Sequence, residues 1–218
     1  MSAFAELSKY FSKGIVQTAA DLGYSESNLM ILSGDEKQLR ASFPEIWNNI
    51  LSCSHNRDTR SPLQYAQDLV ASWVFEDCLI QALNDAGLPI SHAGADMHRE
   101  LLPSVRVSAR SDAAINVKGR TVPLEIMSDF TGYWTRTNKI DLRDNKYCEL
   151  RDSHSLFIGI STADNKAVLL DFSLPLPVEF IPRHKPYGWK PAYSIRIQSD
   201  NLIDFKMPLI IQLISKMI

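Results

Sequence analysis

Up to about Pro89 the apolar positions recur at helical spacing, and beyond it they alternate in twos. Phe4 to Phe11 is a short amphipathic stretch. Ser25 and Ser33 are placed to cap later helices, with Ser33–Gly34–Asp35–Glu36 spaced as a capping box. Pro44 stands early in a helix that runs to about Cys53, and the polar run Ser54 to Arg60 reads as a loop. Ser61 followed by Pro62 is an N-cap and first-turn pair. It opens a helix of about 24 residues that reaches Asn84–Asp85 and is ended by Gly87 and Pro89. The later chain predicts strands over Val105–Ala109, Ala113–Val117, Val122–Ile126, Leu156–Ile160, Ala167–Phe172 and Tyr193–Ile197. Ile140–Leu150 reads as a helix between them, and the apolar terminus Met207–Ile218 as a docked helix or strand. A helical front end followed by a mixed sheet predicts an α/β or α+β protein.

The length of 218 residues allows a large core, organised as a helical region over 1–60 and a core over 61–218 that together form one compact unit, with Asp58–Ser61 the best hinge. Hydrophobic residues make up 45% and charged residues 22%, and the formal charge is -2, which excludes a histone-like or polybasic protein but not an enzyme whose cations line one cleft. Cys53, Cys78 and Cys148 form no CxxC pair and read as free thiols. The chain shows neither a membrane-length apolar run nor a signal-peptide pattern at Met1–Gly14, so a cytoplasmic protein with no membrane partner is expected. GxxxxGK[ST], GxGxxG and a nucleophile elbow are missing from the sequence, and His55, His92, His98, His154 and His184 have no zinc-type spacing.

The stretch SDAAINVKGRTVPLEIM, Ser111 to Met127, carries the candidate chemistry. A two-residue turn at Lys118–Gly119 would set Val117 opposite Arg120, Ile115 opposite Val122 and Ala113 opposite Leu124, so that the apolar faces match. The same register sets Asp112 opposite Glu125. Two facing carboxylates repel, and a divalent cation between them removes that cost; a solvated hairpin face is the plainer alternative. On the long helix Glu76 lies within the apolar arc of Tyr65, Leu69, Trp73, Ile80 and Leu83, whereas Asp77 falls on the polar side with Gln81 and Asn84. A carboxylate on an apolar face needs a partner: a salt bridge with an Arg or Lys, or a shared cation.

A helix bearing Glu, a strand starting with Asp and a strand with Glu-X-X, in that order, resemble the PD-(D/E)XK nuclease superfamily, which includes many type II restriction endonucleases. Ser111–Asp112 matches the first element with Ser in place of Pro, and Glu125–Ile126–Met127 matches the second except at its last residue. The likeness covers roughly residues 65–172. It implies a restriction-endonuclease-like mixed β-sheet flanked by helices, with Asp112, Glu125 and the Ile126 carbonyl holding Mg²⁺ (or Mn²⁺) and with Glu76 as the helix acid. It further implies hydrolysis of phosphodiester bonds in double-stranded DNA by a homodimer, of the restriction type. Met127 replaces the motif lysine. Lys139 and Lys146 are the candidate substitutes, with Lys139 assigned the catalytic role. Alternatively, two metals act without that lysine, or the chain is inactive.

Between Ala93 and Lys146 nine cations face seven acids, a positive balance once Asp112 and Glu125 hold a metal. Arg110, Lys118, Arg120, Trp134, Arg136, Arg143 and, in the proline-bounded run Pro182–Pro191, Lys185 are the candidate DNA contacts. The second reading is a catalytically impaired protein of the same fold that binds DNA or a partner.

Overall fold

The computed structural model describes residues 7, 13–53, 60–94, 98–101, 110–117 and 119–218. Phe4–Phe11 apart from Leu7, the strand expected at Val105–Ala109, the turn residue Lys118 and all of Ser54–Arg60 but Arg60 lie outside the described residues.

Among the described residues four short helices, α1 (Ile15–Asp21), α2 (Glu26–Ser33), α3 (Glu36–Ser42) and α4 (Pro44–Cys53), precede the long α5 (Pro62–Asp85). Ser25 caps α2 by accepting the Asn28 N–H, but α3 is capped by Asp35, which accepts the Gln38 N–H at 2.9 Å, and not by Ser33. Gly34 instead ends α2 at φ 81°, a left-handed conformation that glycine adopts without strain. Ser61 and Gln64 form a reciprocal capping box at the start of α5, with Pro62 at its first turn. The middle and end of α5 are buried on several sides: Ala66, Val70 and Trp73 pack against α2–α4, Val74 and Cys78 against α1, and Phe75, Leu79 and Leu83 against the sheet. The helical front end therefore shares its core with the first half of α5.

The main sheet has six strands in the order β1 (Ile90–His92), β2 (Ala113–Val117), β3 (Arg120–Asp129), β5 (Leu156–Ser161), β6 (Lys166–Asp171) and β9 (Leu202–Asp204). Among the described pairings of this sheet only that of β3 with β5 is parallel. The chain between them forms α6 (Tyr133–Thr137), β4 (Lys139–Arg143) and α7 (Asp144–Asp152). β4 joins β8 (Lys190–Arg196) and β7 (Val178–His184) in a three-stranded antiparallel sheet, and α8 (Met207–Met217) closes the fold. The helix expected over Ile140–Leu150 is thus a strand followed by a helix. In Lys139–Arg143 the residues alternate polar and apolar, burying Ile140 and Leu142, which is the period of a strand.

One face of the main sheet, with Leu124, Ile126, Ile158 and Leu169, packs on α5 and α8. The other, with Phe157, Val168 and Leu170, packs on α6, α7 and the second sheet. β5 is buried along its whole length, as a strand covered on both faces must be. No described helix is long and apolar enough to cross a membrane, and Cys53, Cys78 and Cys148 form no disulfide among the described residues.

Leu79 is fully buried between α5 and the sheet. Leu79→Ala leaves a cavity there and is expected to lower unfolding free energy by about 2–5 kcal/mol, read from urea denaturation.

Candidate active site

The β2–β3 hairpin has the register expected from the turn: Ala113 faces Leu124, Ile115 faces Val122 and Val117 faces Arg120. Gly119, at φ 77°, supplies the left-handed residue of the bend. Asp112 ends the line of β2 residues, beside Glu125. Its carboxylate replaces a strand there: Oδ2 accepts the Ile126 N–H at 3.0 Å. Because a residue's N–H and C=O leave a strand on the same side, the Ile126 carbonyl also faces the Asp112 edge.

Glu125 is 2% exposed. Lys146, from α7, meets both its carboxylate oxygens, at 2.7 and 2.8 Å, and also donates to the Arg110 carbonyl at 3.2 Å. Glu76 is buried on α5, and its Oε2 pairs with Arg99 Nη1 at 2.7 Å. This is the salt bridge that the sequence left as one of two alternatives. Arg99 also forks onto Asp77, which accepts the Tyr24 O–H at 2.6 Å. Asp77 is therefore held in an ion-paired cluster and is not on a solvated face. Asn28, from α2, donates to the Arg99 carbonyl at 2.8 Å, so the N-terminal helices fix the cation that fixes Glu76.

The three acids share one electrostatic neighbourhood. Burial first, then the negative charge of Asp112, pushes the Glu76 carboxyl up to about 8, against the pull of Arg99. The same two causes raise Glu125 well above the ordinary carboxyl range, and Lys146 opposes them. Among the described residues no three His, Cys, Asp or Glu side chains stand close enough together to hold a metal ion, because Glu76 turns to Arg99 and Glu125 to Lys146. The donor set at the hairpin is nonetheless all oxygen: two carboxylates and a carbonyl. That suits Mg²⁺, which keeps several waters and needs only one or two carboxylates.

Lys139 does not reach the acids. It lies on β4, in the second sheet, where its nearest acid is Glu179 at 3.9 Å. The expected helix would have carried Lys139 and Lys146 together; with α7 beginning at Asp144, Lys146 alone crosses to Glu125. Trp134 is likewise no surface contact. It is 6% exposed and packs on Phe157 and over Gly159, where an added Cβ would lie 2.6 Å from its ring. Asp129 accepts the Trp134 N–H at 2.9 Å and two donors from Thr131, a structural role. Arg110 is exposed beside Asp112, and Arg120 is exposed near the hairpin tip, about 17 Å along the strand from Glu125. Lys118 lies outside the described residues.

Arg136, Arg143 and Lys185 gather at another place. Arg136 donates to the Thr131 carbonyl, Arg143 stacks 5.5 Å from the Tyr187 ring, and Lys185 stands between His184 and Pro186. Thr131, Tyr187, His184 and Pro186 line a cleft of about 720 Å³ that begins at Met127. In its wall His184 Nε2 meets Asp141 Oδ2 at 3.0 Å, a pairing across 43 residues that no sequence spacing announces. The part played by Arg99 has no sequence signal either. Met127, half-buried, packs against the core beneath the second sheet.

No family model matches the chain, and no curated protein matches it.

From its ordinary value of 4.5 to its folded value of about 8, Glu76 holds a proton in the folded protein that the unfolded chain has released. Stability is therefore expected to fall as pH rises through that window, with Glu125 acting in the same direction. Glu76→Gln should flatten the fall, as measured by urea unfolding between about pH 5 and pH 8.

Proposed function

We propose that this protein is a Mg²⁺-dependent DNA endonuclease with a restriction-endonuclease-like core, of the site-specific type and acting as a homodimer. The observation that carries this reading is the convergence of Asp112, Glu125 and Lys146: two carboxylates side by side at the end of a hairpin, with one ammonium 2.7 Å away. The order of elements supports it, since α5 bears Glu76, β2 and β3 bear the hairpin acids, and α7 crosses to a strand parallel to β3. Asp112, Glu125 and the Ile126 carbonyl would hold the metal. When bound, Mg²⁺ supplies activation of a water and counter-charge for the phosphate.

The chain's own residues do the rest. Asp112, fixed by the Ile126 N–H, is oriented before any ligand arrives. Lys146 would take over the part of the motif lysine: freed from Glu125 by a competing cation, its ammonium would stabilise charge on the scissile phosphate. Glu76, paired with Arg99 and with its carboxyl pushed up to about 8, is the acid that can shift its charge as the local charge changes.

In plasmid digestion with Mg²⁺ or Mn²⁺, discrete fragments are expected. Asp112→Ala and Glu125→Ala should each abolish them while circular dichroism stays unchanged, and wild-type cutting by either variant would overturn the assignment. Lys146→Ala should slow cleavage roughly 100-fold or more.

A specific observation favours a second reading, a protein of this fold that binds DNA or a partner without cutting. Met127 is half-buried and packs against the apolar core, and both buried glutamates are already paired with cations. Met127→Lys separates the two readings. With Lys146 in the catalytic role it yields no gain in cleavage, whereas a large gain marks the methionine as the lesion.

A further inference from the structure

The cleft of about 720 Å³ at the C-terminal end of β3 lies between α5, which contributes Asp68 and Ser72, and the second sheet. Its mouth is aromatic, with Phe130 50% exposed and Tyr133 37% exposed. Within the wall Asp141 Oδ2 accepts from Tyr133 O–H at 2.8 Å and meets His184 Nε2, and the Tyr187 O–H donates to the Asp141 carbonyl. Two atoms of this network, Asp141 Oδ1 and His184 Nδ1, are buried without a hydrogen-bond partner. With the imidazole proton on Nε2, facing the carboxylate, both are acceptors. Buried acceptors without donors are rare in a settled structure, and each needs a physical reason.

We infer that this cleft receives one unstacked nucleobase. Flat aromatic faces at a mouth are what a base stacks on. A base edge also carries N–H donors for the Asp68 carboxylate in the lining, while the two orphaned acceptors lie behind that lining, shut off from the cleft. Arg136, Arg143 and Lys185 adjoin the lining residues and are placed for the phosphates on either side. Glu125 and Met127 lie two residues apart on one face of β3, about 7 Å at the rise of a strand. The nucleotide held at the acid pair, or its neighbour, therefore has its base within reach of the cleft. This placement of the strand rests on the nuclease reading above, and it requires one base at the cutting site to leave the stack.

The test titrates dGMP, dAMP, dCMP and TMP into the whole protein by calorimetry without divalent metal, against 2-deoxyribose 5-phosphate. At least one nucleotide is expected to bind about tenfold or more tightly than the base-free sugar phosphate. Tyr133→Ala and Phe130→Ala should remove that advantage, and Tyr133→Phe, which keeps the ring, should retain it. Equal binding of nucleotide and sugar phosphate, or wild-type nucleotide binding by both alanine variants, overturns the inference. The titration involves no cleavage, so the two readings fail separately. Metal-dependent cutting that needs Asp112, without base binding, leaves the nuclease and removes the base cleft; base binding in a protein whose Asp112→Ala variant still cuts does the reverse.

Discussion

Two carboxylates side by side at the edge of a buried sheet are the constraint around which this fold is arranged. Glu125 is almost wholly removed from water with Asp112 next to it, and the like charges repel more strongly where the dielectric is low. An uncompensated pair would be costly, and the fold compensates it from two directions. Lys146 comes from the crossing helix to Glu125, and the Ile126 N–H holds Asp112; Arg99 meets the third acid, Glu76. A buried ion pair of this kind contributes little net stability compared with apolar packing.

The compensation ties together features that otherwise look separate. The parallel pairing of β3 with β5 requires a long crossover, and that crossover places α7 against the Glu125 face of the sheet. The N-terminal helices pack on the first half of α5 and hold the Arg99 backbone through Asn28. Their part is to set the partner of Glu76 as much as to enlarge the core. The second sheet covers the far end of the same face, so the acid pair and the aromatic cleft lie along one strand.

Where the pattern of the sequence misled, the physics is identifiable. Ile140–Leu150 has a helical apolar spacing only when a strand and a helix are read together; the alternation in Lys139–Arg143 was the stronger local signal. Trp134 sits in a polar run that reads as loop, but the glycine at position 159 opens a seat for its ring on the sheet. Asp77 looked solvated because the surface it meets, Tyr24 and Arg99, comes from elements distant in the chain.

By itself the sequence determined the long capped helix, the hairpin and its register, and hence that Asp112 and Glu125 stand side by side. These follow from local rules: caps, a tight turn, and the matching of apolar faces across two strands joined by that turn. Only the tertiary structure decided which cation meets each acid, that Trp134 is buried, and that His184 joins Asp141 in a cleft. Those contacts span 21 residues for Lys146 and Glu125 and 43 for His184 and Asp141. They depend on how a crossover and a second sheet pack, and residue spacing along a chain carries no record of that.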